Sequence, residues 1–274
     1  MKYKDKLAKI QVKNNSFVCV GLDSDLNKIP KFLLENRYPQ FAFNKAIIDA
    51  THDFVCAYKP NSAFYEVQGE YGLLQLKMTC DYLREKYKQT PIILDVKRAD
   101  IGESNDRYDK FAFEYLGVDA ITLHPYLGHE ALEPFLKRTD KGCYILCRTS
   151  NPGAGELQDL KVDGKPLYQV VAKMVANIWD KNQNCGLVVG ATYPEELKTV
   201  RKIAPNLQLL IPGVGAQGGD LKKAVQYATN KSGDGFIISS SRGIIFAGSD
   251  KDFAKKAQIE AEKLRDAINN VRKV

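Results

Sequence analysis

Eight short apolar runs, each followed by a stretch of helical length, constrain the fold of this chain more than any single motif. The runs lie at 17–22, 55–59, 92–97, 120–123, 144–147, 187–189, 209–211 and 236–239. Apolar runs this short read as strands buried on both faces. Amphipathic stretches separate them, most clearly at 73–87, 167–182 and 253–271. Pro194-Glu195-Glu196 and Asp220 mark two helix starts, where proline and acids suit the free amides of a first turn. Strands that alternate with helices imply a parallel sheet. Eight units in a chain of this length match a closed (β/α)8 TIM barrel, with a doubly wound open sheet as the other architecture. No linker or low-complexity segment divides the chain. The expectation is one domain over 1–274, with an N-terminal helix, 1–14, leading into strand one.

The strand ends differ in chemistry from the strand bodies. Asp23 follows the first strand, Lys59 ends the second, and Asp95 and Lys97 end the third. His124, Ser150, Gly190, Pro212-Gly213-Val214-Gly215 and Ser240-Ser241-Arg242-Gly243 follow the others. In a barrel these C-terminal ends converge on one mouth, where active sites form. Polar groups gathered there from separate segments point to an enzyme.

The most informative charges end an apolar run in Ile92-Ile93-Leu94-Asp95-Val96-Lys97-Arg98-Ala99-Asp100-Ile101-Gly102. Residues i and i+2 of a strand share a face, so Asp95 and Lys97 stand side by side. Such a pair is either an ion pair closing the strand or a proton-transfer device. With Lys59 and Asp100 it can extend into a line of alternating charge, which keeps the lysines protonated and the aspartates ionised. A protonated lysine donates a proton and does not form a Schiff base. Two lysines among the carboxylates also repel Mg²⁺, and the three histidines show no ligand spacing, so no metal is expected. His124 reads as a structural histidine near the pocket.

Pro212-Gly213-Val214-Gly215-Ala216-Gln217-Gly218-Gly219 is a glycine-rich turn that leads into a helix. Glycines let backbone amides approach an anion. In a barrel, the loops after strands seven and eight form the common phosphate site, and Arg242 supplies a bidentate cation there. A phosphorylated small substrate follows. The pattern is neither a P-loop nor a strand-one dinucleotide fingerprint. The segment 151–165, with Pro152, Gly153, Gly155 and Gly164, is either a lid over the mouth or a passive connection.

Composition narrows the setting. Six cysteines fall mostly in apolar runs without a CxxC pair, as expected for reduced core residues in a cytoplasmic protein. No long apolar stretch suggests a membrane span, and Met1-Lys2-Tyr3-Lys4-Asp5-Lys6 leads into no signal core. The net charge of +7 is spread over helices without an arginine-rich patch, so a solvated surface is expected and not a nucleic-acid interface.

Four segments together resemble a known family. Asp95-Val96-Lys97-Arg98-Ala99-Asp100-Ile101-Gly102 resembles the DxKxxD motif of the orotidine 5′-monophosphate decarboxylases. Tyr58-Lys59-Pro60-Asn61-Ser62-Ala63-Phe64-Tyr65-Glu66 and Thr149-Ser150-Asn151-Pro152-Gly153-Ala154 are similar to the bacterial type 2 subfamily, as is the turn at 212–219. The resemblance implies a cofactor-free homodimer that converts orotidine 5′-monophosphate (OMP) to uridine 5′-monophosphate and CO₂, the last step of de novo pyrimidine synthesis. It implies that Lys97 protonates C6, that Asp95 sits against the substrate carboxylate, and that Lys59 and Asp100 complete the charge line. Asp23 and Lys59 would meet ribose hydroxyls and Ser150 the pyrimidine amide edge. Gln217, Gly218 and Arg242 would hold the phosphate. Asp100 and Ile101 would reach into the partner's site. Ser104, where the family often has threonine, would keep a hydroxyl for ribose. Two other readings compete. One is a Mg²⁺-dependent sugar-phosphate enzyme such as a hexulose-phosphate synthase, which typically has an acid where Lys59 stands. The other is a non-catalytic nucleotide-binding barrel, which the complete set of charged residues disfavours.

Overall fold

The computed structural model describes residues 1–214 and 218–272. Each apolar run becomes a strand: β1 (Val18–Gly21), β2 (Ala57–Lys59), β3 (Ile93–Arg98), β4 (Ala120–Leu123), β5 (Gly142–Arg148), β6 (Cys185–Val189), β7 (Gln208–Ile211) and β8 (Phe236–Ser240). They form one parallel sheet in the order β2-β1-β8-β7-β6-β5-β4-β3. Parallel bridges from Tyr58 to Ile92 and from Asn61 to Asp95 join the two end strands. The sheet therefore closes into a (β/α)8 barrel and is not an open doubly wound sheet. The β2–β3 seam is thin, and bonds from Tyr58 N to Pro91 O (3.0 Å) and from Asp95 N to Pro60 O (2.9 Å) reinforce it.

The two-residue period of each strand sorts its side chains between two cores. In β1, Val18 and Val20 pack outward with the helical residues Phe43, Ile47 and Leu76, while Cys19 between them faces inward. Every strand sends one residue to the inner layer: Cys19, Ala57, Ile93, Ala120, Tyr144, Val188, Leu210 and Ile237. Two residues further along, the same face becomes polar at Lys59, Asp95, Thr122 and Ser239. The apolar layer is thus the floor on which the polar mouth stands.

The expected N-terminal helix forms as Tyr3–Asn14 and stops at Asn15, whose φ of 42° is left-handed. Its Tyr3, Leu7 and Ile10 join the inner layer. Its polar atoms bind backbone at the N-terminal ends of the strands. Tyr3 N donates to Asp140 O (2.9 Å), Asn14 Nδ2 to Val55 O (2.8 Å), and Gln11 Nε2 to Phe236 O (3.2 Å). The helix closes the barrel end opposite the polar mouth.

The clearest helical stretches form as Gly69–Lys86, Leu167–Met174 with π-helical turns to Trp179, and Phe253–Arg272. Asp220 caps helix Leu221–Ala228 through a bond from Lys223 N (3.1 Å), as expected of an acid with a side-chain acceptor at that position. The segment 151–165 has structure of its own, with a helical turn at Gly155–Gln158 and a small hairpin of Lys161–Val162 and Lys165–Pro166. No described helix is long and apolar enough to cross a membrane.

Leu7 is 3% exposed and fills the closed end of the barrel. Leu7→Ala should lower unfolding free energy by about 3 kcal/mol in urea titrations, because the cavity cannot collapse between helix and barrel. A loss under about 0.5 kcal/mol would mean the helix is not part of the cooperative core.

Candidate active site

Lys59 and Asp95 face each other across the β2–β3 seam. Lys59 Nζ donates to Asp95 Oδ2 at 2.7 Å, and Lys97 Nζ donates to Asp95 Oδ1 at 2.5 Å. One carboxylate therefore bridges two ammonium groups. The lysines differ in setting, since the Lys59 side chain is 6% exposed and that of Lys97 is 49%. Lys59 is the fixed, desolvated member and Lys97 the one open to the mouth.

Burial by itself would push the Asp95 carboxyl up, but Lys59 and Lys97 outweigh it and hold the pKa well below the ordinary range. Burial would push the Lys59 ammonium down, and Asp95 with Asp23 outweighs that, so its pKa is raised. Lys59 and Asp95 thus both stay ionised at neutral pH. Asp23 lies just beyond β1, and its Oδ1 is buried without a hydrogen-bond partner among the described residues. Such an orphaned acceptor beside a cation fits a hydroxyl-bearing ligand.

Lys97 sits in strained backbone. Its φ is 47°, in the left-handed region that non-glycine residues seldom adopt. The strain accompanies a bulge. Leu94 pairs with Ile121 and Arg98 with Leu123, so β3 spends four steps where β4 spends two. The amides of Val96 and Lys97 lose their strand partners, and both donate to Thr122 Oγ1 at 3.0 Å. Thr122 in turn donates to Asp95 Oδ1 at 3.1 Å.

The other expected residues spread around the same mouth. Ser150 packs beside the end of β6, where a Cβ on Gly190 would come within 2.7 Å of Ser150 Cβ, so only glycine fits there. Arg242 opens the short helix Arg242–Ile245 after β8 and is exposed. Gly218 is exposed at φ 80°, a conformation that favours glycine. Gln217 lies outside the described residues. His124 is half-buried, with Nε2 at 3.1 Å from Ala99 O, and serves the loop after β3. The structure thus brings Lys59, Asp95 and Lys97 together in one chain and leaves Asp100 apart. Asp100 Oδ1 accepts from Ile101 N (2.7 Å), and the side chain makes no salt bridge among the described residues. Ile101 is 63% exposed and Ser104 is also on the surface.

Several supporting residues escaped sequence reasoning. Thr122 is a lone polar residue inside the apolar run 120–123, and nothing in the sequence sets it apart. Asn105 is fully buried and clasps Asp100 from both sides, accepting from its N–H (2.9 Å) and donating to its carbonyl (2.6 Å). It hides in a helix segment so rich in charged and polar residues that the inward face is hard to read from sequence. Arg148 is 2% exposed, pairs with Asp159 at 3.1 Å, and ties the 151–165 segment to the end of β5. Gln158 strengthens that tie by accepting from Thr149 N (2.9 Å).

The depressed Asp95 pKa ties the site to stability. The unfolded carboxylate takes up its proton near pH 4, above the folded one, so its contribution is present above that pH and is lost as pH falls further. Asp95→Asn leaves Lys59 buried without its counter-charge, and should cost about 3 kcal/mol at pH 7. In urea titrations from pH 7 to 3 it should also flatten the acid loss of stability. An acid limb as steep as that of the unmodified chain would contradict the depressed pKa.

Three comparisons bear on this geometry. Residues 16–257 match the family described as "Orotidine 5'-phosphate decarboxylase / HUMPS family". The orotidine 5'-phosphate decarboxylase of Janthinobacterium sp. (strain Marseille) is 46% identical over 269 residues, covering 98% of both chains. That of Cellvibrio japonicus (strain Ueda107) is also 46% identical, over 274 residues, covering 99% of this chain and all of the relative. The structure of Leishmania donovani OMP decarboxylase superposes with a TM-score of 0.88 at 35% identity, covering 100% of both chains. Barrel, charged mouth and near full-length similarity agree, and the chain belongs to the orotidine 5'-phosphate decarboxylase / HUMPS family.

Proposed function

We propose that this enzyme decarboxylates OMP to uridine 5′-monophosphate and CO₂, the last step of pyrimidine nucleotide synthesis, without metal or organic cofactor. The observation that carries the reading is the Lys59–Asp95–Lys97 line, buried at Lys59 and open at Lys97, at the C-terminal mouth of the barrel. The C6–carboxylate bond breaks, its electron pair stays on C6, and CO₂ leaves. The pair lies in the ring plane with no adjacent carbonyl to accept it, so a fixed cation must stabilise it. Lys97, held at 2.5 Å by Asp95, suits that role, and its Nζ proton then passes to C6. Asp95 lies against the reacting carboxylate and favours its departure. Lys59 keeps Asp95 ionised from behind.

Binding groups surround the reacting centre. Asp23, with its unpaired Oδ1, and Lys59 suit ribose hydroxyls. Ser150 suits the pyrimidine amide edge. Gln217, Gly218 and Arg242 suit the phosphate, whose binding energy holds the substrate in place. The segment 151–165 covers the base as a lid hinged near Arg148. Two copies of the chain complete two sites. The exposed Ile101 and the Asp100 carboxylate, presented by Asn105, enter the partner's mouth, with the Ser104 hydroxyl on the partner's ribose. Asp100 then stands beside the partner's Lys97 and finishes the alternating line. The hexulose-phosphate-synthase reading loses support at Lys59, because an ammonium bonded to Asp95 stands where such enzymes need an acid to help hold a cation.

The direct test follows OMP absorbance with purified protein. Turnover should persist in excess EDTA, and Lys97→Ala should keep the fold while lowering kcat by about 10⁴-fold or more. No turnover by a folded dimer would refute the activity. Undiminished turnover in Lys97→Ala would remove the proton donor. Loss with EDTA and recovery with Mg²⁺ would move the enzyme to the metal-dependent branch.

A further inference from the structure

The wall of the site has one hydroxyl whose hydrogen-bonding capacity is fully used. Thr122 comes from β4, is 2% exposed, and points into the barrel one layer above Ala120. Its Oγ1 accepts from Val96 N and Lys97 N, both at 3.0 Å, and donates to Asp95 Oδ1 at 3.1 Å. A threonine hydroxyl has one proton and two lone pairs, so all three are committed. Each bond reaches the same short stretch of β3.

That stretch is the strained one. The bulge between Leu94 and Arg98 takes two amides out of the β3–β4 ladder and turns Lys97 to φ 47°. A left-handed lysine is strained and persists only when its surroundings enforce it. The Thr122 hydroxyl stands in for the missing strand carbonyl at both amides. Its third bond fixes the Asp95 oxygen that Lys97 also holds at 2.5 Å. Backbone, carboxylate and ammonium are thus referenced to a single atom on the neighbouring strand.

We propose that Thr122 is a positioning residue for the decarboxylation. Its hydroxyl clasps the β3 bulge and sets Asp95, and through it aims the Lys97 ammonium at the reacting carbon. Thr122 touches no substrate in this account and acts through Asp95 and Lys97 alone. The inference rests on the proposed decarboxylation for its kinetic readout, while the clasp itself is measurable without substrate. Because the aim of Lys97 matters in the transition state and little in binding, loss of the hydroxyl should appear in kcat and not in KM.

The test compares Thr122→Val, which keeps shape and removes the hydroxyl, with Thr122→Ser, which keeps the hydroxyl and removes the methyl. Thr122→Val should lower kcat about 100-fold with KM within about threefold, and Thr122→Ser should restore kcat to within about fivefold of the unmodified enzyme. A folded Thr122→Val with kcat within about twofold of the unmodified enzyme would overturn the proposal. So would equal losses in both variants, which would assign the effect to methyl packing. Should Thr122→Val fail to fold, amide exchange in the unmodified enzyme decides. The Val96 and Lys97 amides should be protected, and exchange at the rate of open loop amides would overturn the clasp. If the unmodified enzyme shows no OMP turnover, the decarboxylation reading fails, and the exchange measurement still decides whether Thr122 holds the bulge.

Discussion

The bond between Lys59 and Asp95 crosses the one place where the barrel closes by isolated bridges and not a continuous ladder. Elsewhere, neighbouring strands share register over several residues. At the β2–β3 seam, Tyr58–Ile92 and Asn61–Asp95 are the joins, and the ion pair lies beside them. A buried ammonium and a buried carboxylate are each costly alone and tolerable only together. The seam therefore ties closure of the sheet to assembly of the site. Beneath it, an apolar layer drawn from all eight strands and sealed by helix Tyr3–Asn14 keeps water out from the closed end. Above it, Lys97 and Asp23 face the open mouth.

Much of this was legible in the sequence because the strand bodies keep a period of two. Once 92–97 reads as a strand, Asp95 and Lys97 must share a face, and the alternation of runs and helices brings Lys59 to the same rim. The hairpin inside 151–165 was not legible, since two-residue strands leave no periodic signal. Nor was the bulge at Val96. It comes from a mismatch in step between β3 and β4, and nothing in Leu94-Asp95-Val96-Lys97-Arg98 announces a left-handed lysine. Thr122 and Asn105 hide for a related reason. Each serves backbone atoms of a distant segment, so its meaning depends on which strand or loop lies alongside. Placing Asp95, Lys97 and Asp100 in one motif also concealed a division. The first two join Lys59 in one mouth, whereas the Asp100 carboxylate pairs with neither lysine and its backbone is clasped by the buried Asn105.

The division gives the motif two directions. One half is rigid and inward, fixed by Lys59, by Thr122 and by the strain at Lys97. The other half is outward, with Ile101 exposed in the same loop. An exposed isoleucine beside a well-anchored carboxylate suits a surface completed by a second copy. Under this account each mouth holds three charges of its own chain and borrows the fourth, so that electrostatic preorganisation and subunit association are a single requirement.

Hybrid dimers test that claim most directly. Lys97→Ala and Asp100→Ala homodimers, each inactive alone, are mixed, dissociated and reassociated, and OMP turnover is measured. A borrowed Asp100 gives each hybrid one intact site, so the mixture should recover about a quarter of the unmodified activity at random pairing. If Lys97 and Asp100 serve the same chain, every site in the hybrid lacks one of them. Activity that stays at the level of the separate variants, with hybrids verified by mass, would contradict the shared site.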